Sequence, residues 1–239
     1  MDTHGLIESR NIDLWNALSG IHEIEIQREK RIDYLAYSKN GKTIIYVPFD
    51  NIDSASFTHE LLHVYLRTKK VFIGGGLTLS IKGSQILSEI FSDKLIEHLG
   101  NCLDHIKMLP EFIRLGYEPN EFISDSLVNK LTDEEVLKIK NHFVTNLFFK
   151  KVYNASAIDL YIGKYFAVLA CPNKTFDYTI QLNKLKAINQ ELFQILEKFI
   201  TAWINFDYED DDPIRGSYHI LLFDFINSLE NWTHGKVIK

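Results

Sequence analysis

The chain has 239 residues with a formal net charge of −6, and 46% of them are hydrophobic. This length and apolar content allow a large buried core and argue against an intrinsically disordered chain. The acidic balance leaves no extended basic surface, so nucleic-acid binding is not expected. No stretch approaches the roughly 18 consecutive apolar residues of a transmembrane helix, so no membrane association is expected.

The expected compartment is the cytoplasm. Residues 1–5 lack the basic segment and apolar run of a secretory signal peptide. The two cysteines, Cys102 and Cys171, are far apart and form no CxxC motif. They are expected to be reduced, buried thiols rather than a disulfide.

The first predicted elements are β-strands. Residues 23–26 alternate charged and apolar side chains, as a half-buried strand does. Residues 32–38 and 43–48 are β-prone runs separated by a turn that contains Asn40-Gly41, the dipeptide most typical of a tight hairpin. The second strand of this hairpin is also a candidate to accept the backbone of a bound substrate as an added strand.

The next segment contains an HExxH motif, His59-Glu60-Leu61-Leu62-His63, within a helix predicted over residues 54–69. Histidines four residues apart lie on the same face of a helix, so both rings can reach one metal ion. Glu60 lies about 100° around the helix from His59, where it can serve as a general base that accepts a proton from water bound to that ion. The alternative is a chance match on a helix without metal.

A third ligand is expected downstream, because a catalytic zinc usually has three protein ligands and an open position. Residues 85–108 are predicted to form one helix that stops at Pro110, and on it Glu89 and Asp93 are four residues apart. Glu89 is the candidate third ligand, and Asp93 could accept the free N–H of a ligating imidazole, most simply that of His59. The alternative is a solvated acidic face.

HExxH followed by ExxxD resembles the gluzincin group of zinc metallopeptidases. The resemblance is confined to these two motifs. It implies one zinc ion per chain, held by His59, His63 and Glu89, with Glu60 as the catalytic base and Asp93 behind the first histidine. Regulatory proteases that cleave repressors also combine HExxH with a downstream carboxylate, and they remain an open comparison.

The donor that would stabilise an anionic intermediate is not determined by the sequence. Tyr117 and His105 are the first candidates, and Tyr34 and Tyr46 are further ones. His105 is also compatible with an ordinary structural histidine.

The remainder of the chain is predicted to be helical. The pattern Thr132-Asp133-Glu134-Glu135 is a capping box at the start of a helix expected to reach about residue 153. Further helical runs cover 157–171, 182–206 and 214–232. The expected fold is therefore α+β and mainly α-helical. A zincin-like catalytic region, residues 1–120, would precede a helical subdomain, residues 121–239, and the two are expected to form one compact unit.

These observations favour a cytosolic zinc metallopeptidase acting on a peptide or protein substrate. The first alternative is a zincin-like protein without catalytic activity that binds metal or a regulatory partner. The second is a helical protein in which the motif occurs by chance.

Overall fold

The computed structural model describes residues 5–31, 33–39, 41–147, 150–209 and 217–239. Of these residues, 60% lie in helices and 13% in strands, so the fold is mainly helical, which confirms the expected α+β class. No helix in these ranges is long and apolar enough to cross a bilayer. In chain order the elements are α1 Ile12–Ile21, β1 Glu23–Glu29, β2 Leu35–Lys39, β3 Lys42–Pro48, α2 Ser54–Thr68, α3 Ile73–Lys82, α4 Gln85–Ile90, α5 Asp93–Arg114, a 3₁₀ turn Pro119–Glu121, α6 Asp133–Phe143, β4 Val144–Leu147, β5 Lys150–Tyr153, α7 Ala155–Leu169, α8 Thr179–Ile188, α9 Gln190–Asn205, α10 Tyr218–Thr233 and β6 Val237–Ile238.

The chain divides into two compact units. Unit 1 contains Met1–Phe72 and Asp104–Val128, and unit 2 contains Ile73–Leu103 and Asn129–Lys239. The domain boundary predicted at residue 120 would place the segment Ile73–Leu103 in the same region as the HExxH helix, α2. By its contacts this segment groups instead with the C-terminal helices.

Unit 1 contains a three-stranded sheet in the order β1-β3-β2. β3 pairs in parallel with β1 and antiparallel with β2, and Lys39 faces Lys42 at the end of the β2–β3 hairpin. The predicted hairpin is confirmed, although Ile32 and Asn40 lie outside the described residues. β3 is the central strand, so the prediction that it accepts a substrate strand is wrong, because both of its edges are already paired.

Helix α2 begins at an N-cap, where the side chain of Asp53 accepts a hydrogen bond from the backbone N–H of Ser56 at 2.7 Å. Its apolar face points into a core shared with the first residues of the chain, α1 and β3. The buried members of this core are Leu6, Leu18, Ile45, Val47, Phe57, Leu61 and Val64. Because each residue turns the helix by about 100°, His59 and His63 emerge on the opposite side from this core.

The helix predicted over residues 85–108 is two helices. α4 ends at Ile90 and α5 begins at Asp93, with a break at Phe91 and Ser92. Ser92 caps the new helix, since its Oγ accepts from the N–H of Leu95 at 3.1 Å, while its own N–H donates to Asp159 at 2.9 Å. α5 then continues through Pro110 to Arg114, so the predicted stop at this proline is also wrong.

Unit 2 contains α3, α4, the part of α5 that ends at Leu103, and α6 to α10. It also contains a second small sheet in the order β4-β5-β6. The capping box of α6 is confirmed by two hydrogen bonds. Thr132 Oγ1 accepts from the N–H of Glu135 at 3.2 Å, and the Glu135 carboxylate accepts from the N–H of Thr132 at 2.9 Å. The helix ends at Phe143 rather than near residue 153, and the antiparallel pair β4–β5 follows it.

Candidate metal centre

Three histidines of unit 1 form one group. His59 and His63 come from α2 and His105 comes from α5, and each offers one ring nitrogen that lies within 4.8 Å of the other two. The ring centroids of His59 and His105 are 4.8 Å apart, and those of His59 and His63 are 5.1 Å apart. His59 is buried, whereas His63 and His105 are partly exposed. These three imidazoles could hold a metal ion.

One ring nitrogen of His59 lacks the hydrogen bond that a buried polar atom normally has, although the ring also interacts with the backbone of Phe122. Its Nδ1 is buried and has no hydrogen-bond partner in the described part of the chain. An unpaired buried group of this kind costs about 1–3 kcal/mol. Burial, followed by the proximity of His105 and His63, holds the pKa of His59 well below its usual value. These effects favour the neutral ring, which is the protonation state that binds metals.

His63 of α2 is held by a hydrogen bond to the buried carboxylate of Asp104 in α5. Its Nδ1 lies 3.2 Å from Oδ2 of Asp104, and the same oxygen accepts from Nη2 of Arg67 at 2.5 Å. Burial by itself lowers the pKa of His63, but the hydrogen bond to Asp104 and the charges of Glu60 and Asp104 outweigh burial and raise it. Burial would raise the pKa of Asp104, yet His63 and Arg67 hold it below its usual value.

Glu60 connects α2 to the edge of the sheet. Its Oε2 accepts a hydrogen bond from the backbone N–H of Ala36 in β2 at 2.6 Å. Burial raises the pKa of Glu60, against the opposing effects of His63, Ala36 and Arg31. A buried carboxylate with a raised pKa, next to a group that could hold a metal, has the properties of a general base.

This contact also determines which way β2 faces. The N–H of Ala36 donates to Glu60 and therefore points away from β3. Directions alternate along a strand, so the N–H and C=O of Ser38 also point away from β3, whereas those of Tyr37 point toward it. β2 is an edge strand of the sheet. The edge of β2 that does not pair with β3 is the edge at which Ala36 donates to Glu60.

Glu89 and Asp93 lie in unit 2 and outside the three-histidine group. Glu89 is exposed on α4 and Asp93 is at the first position of α5. The Asp93 side chain is 84% exposed and forms an ion pair with Lys82 at 2.5 Å. Because the helix is broken between them, the two carboxylates do not share the single helical face that the ExxxD spacing implies.

The two first candidates for an oxyanion donor have different surroundings. The buried hydroxyl of Tyr117 donates to Glu8 at 3.0 Å and accepts from Thr58 at 3.0 Å, so it belongs to a network that holds the N-terminal segment against α2. His105 is one of the grouped histidines. Phe122 packs against both His59 and His105, with centroid distances of 4.6 and 5.2 Å.

The sequence analysis did not include Arg67 or Asp104 in the site, and it named His105 as a candidate oxyanion donor rather than as a metal ligand. The available signal was the density of polar residues in α5, where Asp104 and His105 stand together between apolar neighbours. Arg67 follows His63 by one helical turn. Only the packing of α5 against α2 brings these residues together.

The chain was compared with protein-family models, curated proteins and solved structures, and none of them matches it.

Proposed function

We propose that this protein is a zinc-dependent hydrolase that cleaves a peptide or protein substrate. His59, His63 and His105 would hold the zinc ion, and Glu60 would be the general base. The observation that carries the proposal is the group of three imidazoles, in which one nitrogen of each ring lies within 4.8 Å of the others. The buried Nδ1 of His59, which has no partner among the described residues, adds to it. His105 would take the place expected for Glu89 as the third ligand.

The donor set fits zinc. Imidazole nitrogens are typical zinc ligands, and three histidines form a known type of catalytic site with a fourth position open to water or substrate. The partial exposure of His63 and His105 is consistent with access from solvent. When bound, zinc polarises a carbonyl oxygen and lowers the pKa of a coordinated water toward about 7.

The role of Glu60 follows from its position and its environment. The N–H of Ala36 fixes one carboxylate oxygen and thereby the orientation of the group. Burial raises its pKa, which makes the carboxylate a better proton acceptor than an exposed one. Glu60 would take a proton from the attacking water and deliver it to the leaving amine.

The edge strand β2 supports a peptide as the substrate. An extended peptide can pair with the outward-facing backbone groups of Ser38, on the side of β2 where Glu60 is bound. The side chains of Leu35 and Tyr37 are 44% and 52% exposed on this strand and offer apolar contacts. We place the activity in the cytoplasm, in keeping with the two buried cysteines, neither of which is in a disulfide.

The hydrogen bond between Glu60 and Ala36 also favours a second candidate function. A carboxylate that is already bound to a strand backbone can serve simply to attach the strand to the helix. The protein would then be a non-catalytic metal-binding or partner-binding regulator.

Glu60→Gln distinguishes the two functions. The glutamine retains the size of the side chain and can accept from Ala36 but cannot take a proton. Hydrolysis of a pooled peptide library should therefore fall by about 10²–10⁴-fold while the zinc content stays unchanged. Glu89→Gln is the matched control and should retain full activity. If the wild type cleaves no peptide, the hydrolase proposal fails. It also fails if Glu60→Gln cleaves the same peptides as the wild type at the same rates.

A further inference from the structure

Asp104 joins the two helices that supply the three histidines. It is only 2% exposed, it accepts from His63 of α2, and it directly precedes His105 in α5. One residue therefore fixes the ring of one histidine and lies next to another in the chain.

Arg67 holds Asp104 from the other side. Its Nη2 lies 2.5 Å from Oδ2 and its Nη1 lies 3.5 Å from Oδ1 of Asp104, close to a two-point contact between guanidinium and carboxylate. Nη1 also donates at 2.5 Å to the backbone carbonyl of Val71, a residue just after the end of α2. This bond fixes the position of the arginine side chain. The Asp104 carboxylate is therefore held by a fixed donor and cannot rotate freely.

We propose that Asp104 is the positioning residue of the metal centre, which holds His63 with its proton on Nδ1 and its lone pair on Nε2, and that Arg67 holds Asp104 in place. This inference rests on the proposed function. The chemistry of the groups supports it, because an ionised carboxylate can only accept hydrogen bonds. A neutral His63 bonded to Asp104 through Nδ1 must therefore have Nε2 available as a ligand.

A purely structural role for the ion pair between Arg67 and Asp104 is a weaker explanation of this arrangement. A buried ion pair contributes little net stability, because desolvation of the two charges offsets their attraction. The Oδ2 atom that receives Arg67 is also the atom that contacts His63. Carboxylates that orient a ligating histidine typically change metal affinity by about 10–100-fold.

The first test measures the affinity of purified full-length protein for zinc by chelator competition and for cobalt by visible absorption. Asp104→Asn should weaken binding by about 10–100-fold and alter the cobalt spectrum. Asp93→Asn removes the carboxylate that the sequence motif favours, and it should change neither quantity. Arg67→Ala should weaken binding by less than Asp104→Asn does, because the carboxylate remains.

The second test needs no variant. Long-range ¹⁵N–¹H spectra of zinc-free wild type, at a pH where His63 is neutral, should show its proton on Nδ1. A proton on Nε2 would overturn the inference, as would equal metal affinity in wild type and Asp104→Asn. If the wild type binds neither zinc nor cobalt, the proposed function itself fails and the inference fails with it, which is a different result from equal binding by both proteins.

Discussion

At the scale of single residues, burial acts in opposite directions on two neighbours in the chain. It lowers the pKa of His59 and raises the pKa of Glu60, because in each case it disfavours the charged form. Both residues are over 90% buried on α2. The helix therefore presents a metal-competent imidazole and a proton-accepting carboxylate from positions next to each other.

The N-terminal segment is attached to α2 by Glu8, whose carboxylate accepts from Ser54 at 2.5 Å and from Tyr117 at 3.0 Å. The bond from Ser54, helped by Tyr117 and Arg10 and opposed by burial, lowers the pKa of Glu8 in the folded protein. Its contribution to stability is then present above the pKa of the unfolded chain, about 4.3, and is lost as the pH falls through the lower folded pKa.

Glu8→Gln should therefore lower the free energy of unfolding at neutral pH by about 0.2–1 kcal/mol, a small value because the side chain is partly exposed. The difference between wild type and variant should shrink as the pH falls below about 4. Denaturant unfolding over this pH range measures it. Glu97→Gln, a change at an exposed position of α5, is the control. A gap that stays constant down to the lowest pH would show that the Glu8 contacts do not depend on its charge.

The spacing of the motif residues explains which parts of the site could be predicted. His59 and His63 come together because α2 forms, and four residues of helix suffice to align them. The same four-residue spacing predicts that Glu89 and Asp93 share one helical face. This prediction is wrong because the helix breaks at Ser92. His105 reaches the group through the packing of one helix on another, which no local spacing encodes.

At the scale of elements, the contact between α2 and β2 can be tested by removing one backbone donor. Ala36→Pro deletes the N–H that donates to Glu60 and retains the β2–β3 ladder, since this N–H points away from β3. The test is a double-mutant cycle on zinc-free protein, with unfolding free energies from denaturant titration. Ala36→Pro and Glu60→Ala should couple by about 0.5–3 kcal/mol.

The control uses the next residue of the same strand. The N–H of Tyr37 faces β3, so Tyr37→Pro should destabilise the sheet but add to Glu60→Ala within about 0.3–0.5 kcal/mol. Coupling of equal size for both prolines would mean that the cycle reports general damage to β2. Additivity for the Ala36 pair would show that the hydrogen bond contributes nothing.

Local signals identified the elements better than their ends. The Asn-Gly turn and the capping box of Thr132 are both short-range patterns, and the hairpin and the start of α6 were predicted from them. The end of α6 was missed because the chain changes to the β4–β5 pair without a glycine or proline to mark it. Segments whose structure depends on distant partners could not be read from local pattern.

At the scale of the whole molecule, the division of the chain separates the two possible ligand sets. The three histidines belong to unit 1, although His105 is 42 positions beyond His63 in the sequence, whereas Glu89 belongs to unit 2. A metal centre built from His59, His63 and His105 therefore lies within one compact unit.

Metal analysis of the purified full-length chain most directly tests whether His105 or Glu89 is the third ligand. Wild type and Glu89→Ala should each contain about one zinc ion per chain, whereas His105→Ala should contain almost none, because two histidines are too few to retain the ion through purification. Circular dichroism checks that each variant is folded. Full zinc occupancy in folded His105→Ala, or loss of zinc from folded Glu89→Ala, would contradict the assignment.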